Sequence, residues 1–310
     1  MRVLVTGANG YLGSVVAREL RTAGHDVVGL VHRHRSRIPT DMPTRTADLR
    51  DPGALTAALD GMDAVCHLAG LTRARESLDE PERYFAVNHA GTAALLHAMA
   101  AADSRALVFA STAAIYGTPD RQPMSEDLPD HPPHPYAASK LAAELAIAAA
   151  TARGTLSAIV LRLFNIVGGD DTDETRIMSR LLAVAAGEQL HLTVPGDGTS
   201  VRDYLHLTDA ARAFTAALAR MPGPGACRRY NIGTGVGISV NELVTTATRI
   251  TGRPIPVEYH PAIAEPPRLV SDSRRARDEL DWAPAASDID TVLRVAWAAR
   301  APSGYAPGCP

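Results

Sequence analysis

A glycine-spaced turn near the amino terminus constrains the fold of this chain most. The apolar, β-branched run RVLVT at residues 2–6 leads into TGANGYLGSVVARELRTAG, where Gly7, Gly10 and Gly13 recur at every third position. Glycine permits a tight turn and a close backbone approach, and the start of the following helix offers N–H groups to a phosphate. Between a strand and a helix, this spacing predicts a dinucleotide-binding turn; a purely structural tight turn is the alternative.

Strand-like and helix-like runs continue to alternate through the first half of the chain. The further strand-like runs are DVVGLV at 26–31, DAVCHLA at 63–69, RALVFAS at 105–111 and SAIVLRL at 157–163. They are apolar on both faces, as parallel strands covered by helices are, and helix-forming runs with Gly or Pro punctuation separate them. The alternation predicts an α/β fold whose first 165 residues form a doubly wound parallel sheet of the Rossmann type.

The alternation breaks after about residue 165. Prolines become more frequent, and the helical and extended patches become shorter and less regular. We therefore expect a smaller, irregular C-terminal substrate-binding lobe over residues 166–300. It would be intertwined with the first lobe and lie over the carboxyl ends of the strands. The last ten residues, 301–310, are expected to be a loose tail.

Composition limits the function classes. The 310 residues are 46% apolar and 21% charged, with a formal net charge of −3, so charge gives no reason to expect nucleic acid or an anionic membrane as a partner. Cys66, Cys227 and Cys309 show no metal-ligand spacing, so we expect neither a metal site nor a disulfide framework. The amino terminus lacks the apolar core of a signal peptide, and no apolar stretch is long enough to span a bilayer. We expect a cytoplasmic protein.

The stretch HPYAASKLAAE at 134–144 places a tyrosine four residues before a lysine at the start of a helix-prone run. Residues i and i+4 share one helix face, so Tyr136 and Lys140 would point the same way. A cation near a phenol favours its ionised form, and such a pair could exchange a proton with an alcohol. A solvated lysine and a half-buried tyrosine on an ordinary helix are the alternative.

The end of the second strand bears on the choice of dinucleotide. An acid there binds the ribose 2′-hydroxyl of NAD, whereas an arginine accommodates the 2′-phosphate of NADP. Here Val31 takes that place, and Arg33 and Arg35 follow in HRHRSR. This pattern favours tolerance of NADP, with a solvated basic loop as the alternative. Asp48 follows the third strand and is placed to accept a hydrogen bond from the adenine amine; a helix N-cap is its competing use.

Motifs in a fixed order carry a resemblance to a known family. The first 140 residues contain TGANGYLG (6–13), ADL (47–49), HLAG (67–70), VNHAGT (87–92), FASTAAIYG (109–117) and YAASK (136–140). Later come LRLFN (161–165), GTSVRDYLHLTDAA (198–211), YNIGTGVGISVNEL (230–243) and ELDW (279–282). The chain resembles the extended short-chain dehydrogenase/reductase family over roughly residues 1 to 285, and within it the nucleotide-sugar epimerases of the UDP-glucose 4-epimerase type.

The resemblance implies catalytic roles for three residues. Tyr136 would be the general acid/base at a sugar hydroxyl, and Lys140 would hold the nicotinamide ribose and lower the pKa of Tyr136. Thr112 would hydrogen-bond the same sugar hydroxyl. The residues implied to line the NAD or NADP site, besides Tyr136, Lys140, Arg33 and Arg35, are Gly7, Gly10, Tyr11, Leu12, Gly13, Asp48, Leu49, Leu68, Ala69, Gly70 and Asn88.

Substrate binding is also implied by position. Asn165 and Arg202 would hold the diphosphate of a nucleotide sugar, and Tyr204 would lie near its sugar or base. His206, in the same run, is interpreted as a structural residue. The family's Arg-x-Gly-Asp/Glu segment is altered, because HPAIAEPPRLVSD (260–272) aligns Ala262 with the arginine and Ala264 with the glycine and keeps only Glu265. Arg268 or His260 would have to replace the missing charge, although Arg268 could equally be a surface residue.

The resemblance implies an NAD(P)-dependent NDP-sugar 4-epimerase, which oxidises the C4 hydroxyl and returns the hydride to the other face. An NADPH-dependent NDP-4-keto-sugar reductase is the alternative, supported by Val31, Arg33 and Arg35. A 4,6-dehydratase is disfavoured, since STAAIYG lacks the acidic pair expected after the threonine. A non-catalytic dinucleotide sensor would have no use for a proton relay. The family also implies a homodimer formed through two helices of each subunit.

Overall fold

Alternating strands and helices build one parallel sheet at the centre of the chain. The computed structural model describes residues 1–32, 37–169, 171, 173–263 and 265–300. Arg33, Arg35, Ala264 and the predicted tail at 301–310 lie outside the described residues. In the described ranges the strands are β1 Arg2–Thr6, β2 Asp26–Val31, β3 Thr44–Thr46, β4 Ala64–His67, β5 Ala106–Thr112, β6 Ser157–Leu163, β7 Asn165–Val167, β8 Leu192–Pro195, β9 Val201–His206, β10 Cys227–Ile232, β11 Gly237–Ser239, β12 Val257–His260 and β13 Arg268–Leu269.

Helices cover both faces of this sheet and form much of the second lobe. They are α1 Gly13–Thr22, α2 Pro52–Ala58, α3 Glu76–Asp79, α4 Pro81–Tyr84, α5 Gly91–Ala101, α6 Pro135–Thr151, α7 Ile177–Ala186, α8 Leu207–Ala219, α9 Val240–Thr251, α10 Arg274–Leu280 and α11 Ile289–Arg300. A π-helical turn, Phe85–Ala90, joins α4 to α5, and a 3₁₀ turn, Ala113–Tyr116, follows β5. No helix in the described ranges is long and apolar enough to cross a membrane.

The central sheet has seven parallel strands in the order β10-β6-β5-β4-β1-β2-β3. β1 lies between β2 and β4, and its last residue, Thr6, is in register with Leu30 on one side and His67 on the other. Because the chain first winds towards β3 and then returns to β4, the two halves diverge at the carboxyl ends of β1 and β4. In a doubly wound sheet, a ligand binds at this crevice. The α/β Rossmann prediction is confirmed.

Side chains alternate between two hydrophobic cores, one on each face of the sheet. Val3 and Val5 of β1 pack with α1 and α8, whereas Leu4 packs on the opposite face with α2, α5 and α6. This alternation follows from the two-residue period of a strand. Since both faces are apolar and covered, the strands read in the sequence as continuous apolar runs.

The second lobe is built around α7, α9 and α11, which share a third core with β8 and Tyr204 of β9. The second half of the chain also contributes to the central sheet. β10 supplies its edge strand, and α8 packs against α1. The sequence division at residue 165 is therefore not a division of the core.

A buried ion-pair network fixes α6 to the sheet. Glu144 of α6 and Arg162 of β6 are 3% and 0% exposed, and the Arg162 guanidinium donates to both Glu144 carboxylate oxygens, at 3.0 and 2.8 Å. Arg162 also pairs with Asp130 at 2.7 Å, and Ser111 at the end of β5 donates a hydrogen bond to Glu144. These contacts satisfy charges that would be costly to bury alone.

We predict that Glu144→Gln lowers the free energy of unfolding by about 3–5 kcal/mol, because it leaves the buried Arg162 without its main counter-charge. Urea denaturation followed by circular dichroism measures this loss. Glu188→Gln is the control, since Glu188 pairs with Arg300 at the surface and should change stability by less than about 1 kcal/mol. Equal losses in both variants would contradict the role given to Glu144.

Candidate active site

The glycine turn after β1 is packed directly against the end of β4. Gly7 has φ +67°, and a Cβ on it would lie 2.9 Å from the Ala69 amide nitrogen, so no other residue fits there without moving backbone. A Cβ on Gly13 would overlap the Gly7 carbonyl oxygen. The turn is held by hydrogen bonds from Gly7 N to Leu30 O (3.0 Å) and from Gly10 N to Gly7 O (2.8 Å). The glycines therefore leave a backbone-lined cradle at the start of α1.

A buried polar chain supports this cradle from below. The Thr92 hydroxyl donates to the Asn88 carbonyl oxygen at 2.6 Å, so it accepts from His67 Nε2 at 3.0 Å. His67 is therefore protonated on Nε2, and its Nδ1 accepts from the Thr6 hydroxyl at 2.7 Å. Thr6 Oγ1 in turn accepts from the Leu68 and Ala69 amides, at 3.1 and 3.0 Å. Burial, with the charge of Lys140, lowers the pKa of His67 to about 3, so this histidine stays neutral.

Asn88 lies in the π-helical turn, a distortion that is frequent at functional sites. Its side-chain oxygen accepts from Leu71 N at 2.8 Å, and its amide donates to Leu71 O and to Ser139 Oγ, each at 3.0 Å. Asn88 thus ties the segment after β4 to α6. A Cβ on Gly70 would lie 2.8 Å from Asn88 Oδ1 and 3.4 Å from Lys140 Nζ, which places these three predicted residues together.

Lys140 is almost fully buried beneath the site. Its Nζ donates to the Ala110 carbonyl oxygen at 2.9 Å and lies 4.7 Å from the centre of the Phe109 ring. Burial lowers the pKa of Lys140 to about 8, and the charge of Glu144, one helical turn later, partly opposes that shift. At neutral pH the ammonium group is mostly charged and held in one orientation.

Tyr136 lies at the first turn of α6 with its side chain partly exposed. Burial raises the pKa of its phenol, hydrogen bonding with Thr112 at the end of β5 lowers it, and Tyr84 raises it further. Thr112 and Tyr136 therefore lie within hydrogen-bonding distance of each other. The net shift is not the lowering that was expected from Lys140. The shift is upward, because burial dominates and the Lys140 ammonium is directed to Ala110.

His134 was not singled out from the sequence, yet it shapes the start of α6. Its Nδ1 accepts from Ala137 N at 3.2 Å, which caps the helix, and Pro135 follows at the first helical position. The His134 ring also stacks on Tyr136, with ring centres 5.8 Å apart and planes within 13°. On another side Tyr84 meets Tyr136 edge-on at 6.3 Å. Two rings thus orient the Tyr136 phenol.

The remaining predicted cofactor residues differ in their burial and in their contacts. Tyr11 donates from its hydroxyl to Gly168 O at 2.5 Å, so the glycine turn also contacts the second lobe. Leu12 and Leu68 pack against one core, and Leu49 is buried in the other. Asp48 pairs with Arg50 at 2.6 Å and with His32 at 3.1 Å.

Asp48 does not cap a helix, since Asp51 is the N-cap of α2. Hydrogen bonding from Arg50 holds the pKa of the Asp48 carboxyl far below its usual range. Val31, the last residue of β2, is buried at 2% exposure. The predicted Arg33 and Arg35 lie outside the described residues.

The predicted substrate residues lie mostly on β7 and β9 of the second lobe. Asn165 is exposed and in register with Tyr204. Arg202 is on the same face of β9 as Tyr204, and burial raises the pKa of Tyr204 to about 12. Arg202 Nη2 lies 3.3 Å from Glu265, the acid that remains in the altered segment. His206 caps α8 by accepting from Thr208 N at 3.3 Å, a structural role.

Arg268 does not join Arg202. In the parallel pairing of β13 with β9, Arg268 is in register with Val201 and Leu269 with Arg202. Successive residues of a strand point to opposite faces, so Arg268 lies on the face opposite to Arg202. His260 pairs with Glu258 at 3.2 Å on β12. Neither proposed replacement for the arginine missing at Ala262 therefore lies beside Arg202.

Lys140 generates a pH-dependent prediction. Its pKa in the folded state, about 8, lies below the ordinary value of about 10.4, so between these values the unfolded chain binds more protons than the folded one. Below pH 8 the buried ammonium group of Lys140 therefore lowers the free energy of unfolding. As the pH rises from 8 to about 10.4 this destabilisation diminishes, by up to about 3 kcal/mol in total.

The test compares wild type with Lys140→Met by urea denaturation at pH 7, 8, 9 and 10. The difference in unfolding free energy, wild type minus variant, should rise with pH above 8. A flat difference would mean that Lys140 is not held as a buried cation.

The chain is similar to proteins of one known family. The sequence model of the NAD dependent epimerase/dehydratase family matches residues 3–233. The chain is 37% identical to a UDP-glucose 4-epimerase of Corynebacterium glutamicum, over 96% of this chain and 95% of that protein, and 38% identical to one of Streptomyces lividans, over 98% of each.

A solved structure is also similar over nearly its whole length. The crystal structure of a UDP-glucose-4-epimerase from Stenotrophomonas maltophila, with bound NAD and formylated UDP-arabinopyranose, has a TM-score of 0.90 and 33% identity over 96% of this chain and 97% of that one. The fold thus has close counterparts among these enzymes, and this chain belongs to the NAD dependent epimerase/dehydratase family.

Proposed function

We propose that this chain is an NAD-dependent NDP-sugar 4-epimerase that acts on UDP-glucose. The observation that supports the proposal is that, in a member of this family, Thr112 hydrogen-bonds Tyr136 one helical turn before Lys140, whose ammonium group lies close to Gly70. Relatives at 37–38% identity over nearly the whole chain are named UDP-glucose 4-epimerases, and the structural neighbour holds NAD with a UDP-sugar. A non-catalytic sensor would need none of the three side chains.

The described residues fit a dinucleotide. The cradle at Gly7 and Gly13 has no room for side chains and offers backbone N–H groups at the start of α1, which suits a pyrophosphate. The neutral His67 network holds the backbone at Leu68 and Ala69 on the opposite wall. Asn88 fixes the neighbouring Leu71, and Lys140 supplies a buried cation close to Gly70. When bound, NAD supplies a hydride acceptor that can also return the hydride.

Tyr136 and Thr112 then hold and transfer the proton of the sugar hydroxyl. The Tyr136 phenol oxygen exchanges a proton with the sugar C4 hydroxyl, and the Thr112 hydroxyl holds that same sugar hydroxyl. Burial raises the pKa of Tyr136, which favours its protonated, acid form, whereas Thr112 favours the phenolate. The stacked His134 ring and the edge-on Tyr84 ring fix the direction in which the phenol points. Bound NAD would supply the hydride chemistry, so Tyr136 and Thr112 need only hold the sugar oxygen and move its proton.

Tyr136→Phe tests the proton-transfer role. The variant keeps the ring between His134 and Tyr84 and loses only the hydroxyl, so conversion of UDP-glucose to UDP-galactose should fall by about 10²–10⁴-fold. NAD binding and the unfolding transition should change little. Conversion is measured by chromatography of the nucleotide sugars.

Tyr259→Phe is the control, because Tyr259 is an exposed residue that donates to Asn241 away from the cradle. It should retain wild-type turnover. A Tyr136→Phe enzyme with half of the wild-type rate would exclude the proposed acid/base, and a wild type that converts no UDP-glucose would exclude the proposed substrate.

The NADPH-dependent keto-sugar reductase remains the second candidate, because a buried valine stands at residue 31 where an acid would repel a 2′-phosphate. From Val31, Arg33 and Arg35 we predict that the wild type binds NADP(H) at least as well as NAD(H), and that Val31→Asp with Arg33→Ala shifts the preference to NAD(H) by about ten- to hundredfold.

Fluorescence titration of both cofactors against wild type and double variant measures the preference. Arg121→Ala is the control, because Arg121 is a surface arginine that donates to Ser125 and belongs to no predicted cofactor group. A wild type that already prefers NAD tenfold would mean that HRHRSR does not bind a 2′-phosphate. The reductase proposal would then lose its main support.

We also propose a homodimer through α5 and α6. The outward faces of these helices carry exposed, mostly small residues, which permit close helix packing; they include Ala93, Ala100, Leu145, Ala148 and Ala149. Localisation in the cytoplasm likewise remains a proposal, supported by composition.

A further inference from the structure

A carboxylate bridges two arginines from different lobes. Glu265 of the second lobe lies with one oxygen 3.1 Å from Arg75 Nη2 and with the other 3.3 Å from Arg202 Nη2. Arg75 belongs to the segment between β4 and α3 of the first lobe and is 76% exposed, whereas Arg202 on β9 is 12% exposed. One carboxylate thus contacts two guanidinium groups, one from each lobe.

A third guanidinium lies in the same region. Arg180 of α7 donates to the Thr193 carbonyl oxygen, and its pKa is lowered first by burial and then by the charge of Arg75. Arg75 and Arg180 therefore act on each other as like charges. Arg75 thus lies close to a second arginine, Arg180, as well as to the carboxylate of Glu265, and this added positive charge suits a larger anion.

The two arginines contact separate oxygens of one anionic group. The two Glu265 oxygens are about 2 Å apart, as in any carboxylate, and each contacts a different guanidinium. A diphosphate presents one phosphoryl group to each of two such donors, and arginine binds phosphoryl oxygens bidentately. Glu265 therefore occupies the position that a diphosphate would take between Arg75 and Arg202.

The same cluster accounts for the arginine absent from the altered segment. Ala262 offers no charge there, Arg268 lies on the opposite face of β9 and β13, and His260 pairs with Glu258. Arg75 reaches the neighbourhood of Arg202 from the first lobe instead. The positive charge is thus restored from a different part of the chain.

We infer that Arg75 is a substrate-binding residue, and that Arg75 and Arg202 hold the diphosphate of the nucleotide sugar between the two lobes after it displaces Glu265. This inference rests on the proposed function for the identity of the substrate. It assigns to Glu265 the role of keeping the two guanidinium groups in place before the diphosphate arrives.

A different role for these contacts makes an opposite prediction. If Arg75 and Glu265 only hold the lobes together, removal of either side chain should loosen the site. Both variants should then bind the anion more weakly. If Glu265 competes with the diphosphate, its removal should strengthen anion binding while removal of Arg75 weakens it. The two variants therefore separate the roles by the sign of the effect.

The experiment measures binding of inorganic pyrophosphate by calorimetry to the full-length protein, with NAD at saturation so that the probe cannot occupy the glycine cradle. Arg75→Gln should weaken binding about tenfold, the lower end expected for a lost charged hydrogen bond at an exposed site. Glu265→Gln should strengthen it several-fold. Arg83→Gln is the matched control, because Arg83 is a half-exposed first-lobe arginine paired with Glu80 and Glu76, and it should leave binding unchanged.

Unchanged binding in Arg75→Gln, weaker binding in Glu265→Gln, or no pyrophosphate binding by the wild type would each overturn the inference. Its failure is distinguishable from failure of the proposed function. An enzyme that interconverts UDP-glucose and UDP-galactose but binds pyrophosphate independently of Arg75 refutes only the role given to Arg75. A protein whose pyrophosphate binding depends on Arg75 and Glu265 as predicted, but which does not interconvert the two sugars, refutes only the proposed epimerase activity.

Discussion

The buried pairing of Glu144 with Arg162 positions the rest of the site. Tyr136, Lys140 and Glu144 follow one another at intervals of four, so they lie on one face of α6, and the last of them is held on the sheet by two hydrogen bonds to Arg162. Ser111, which also donates to Glu144, directly precedes Thr112. One buried carboxylate thus sets helix and strand so that Thr112 meets Tyr136. Because this charge is paired on several sides, it can remain buried in the core.

The opposite wall of the site depends on neutral groups. His67 is buried with a threonine hydroxyl on each ring nitrogen, and the hydrogen-bond directions require it to be uncharged. A second cation below the cradle would repel Lys140, whose own charge is already disfavoured by burial. The site therefore concentrates its positive charge at Lys140 and supports its backbone with neutral hydrogen bonds. This division suits chemistry in which a proton and a hydride leave the same carbinol group.

Local sequence signals predicted the parts of the structure that local physics determines. Apolar runs located the main strands, glycine spacing located the cradle, and the i, i+4 rule located Tyr136 and Lys140. The edge strand β10 was missed as part of the central sheet, since CRRYNI begins with exposed, charged residues and lies far along the chain. The direction of the Tyr136 pKa shift and the contact of Arg75 with Glu265, 190 residues apart, depend on tertiary packing that no local pattern records. His134 was a recoverable exception, because a polar residue before Pro at a helix start is a capping signal.

An NDP-sugar 4-epimerase takes a hydride from the sugar and returns it to the same carbon within one cleft. Incubation of the protein with UDP-glucose deuterated at C4, in the presence of excess unlabelled NADH, tests this most directly. We predict UDP-galactose that keeps its deuterium at C4, with no label in the added cofactor, because the hydride never leaves the site. Loss of the label from C4, or its appearance in the free dinucleotide, would contradict the account and indicate a net oxidoreductase.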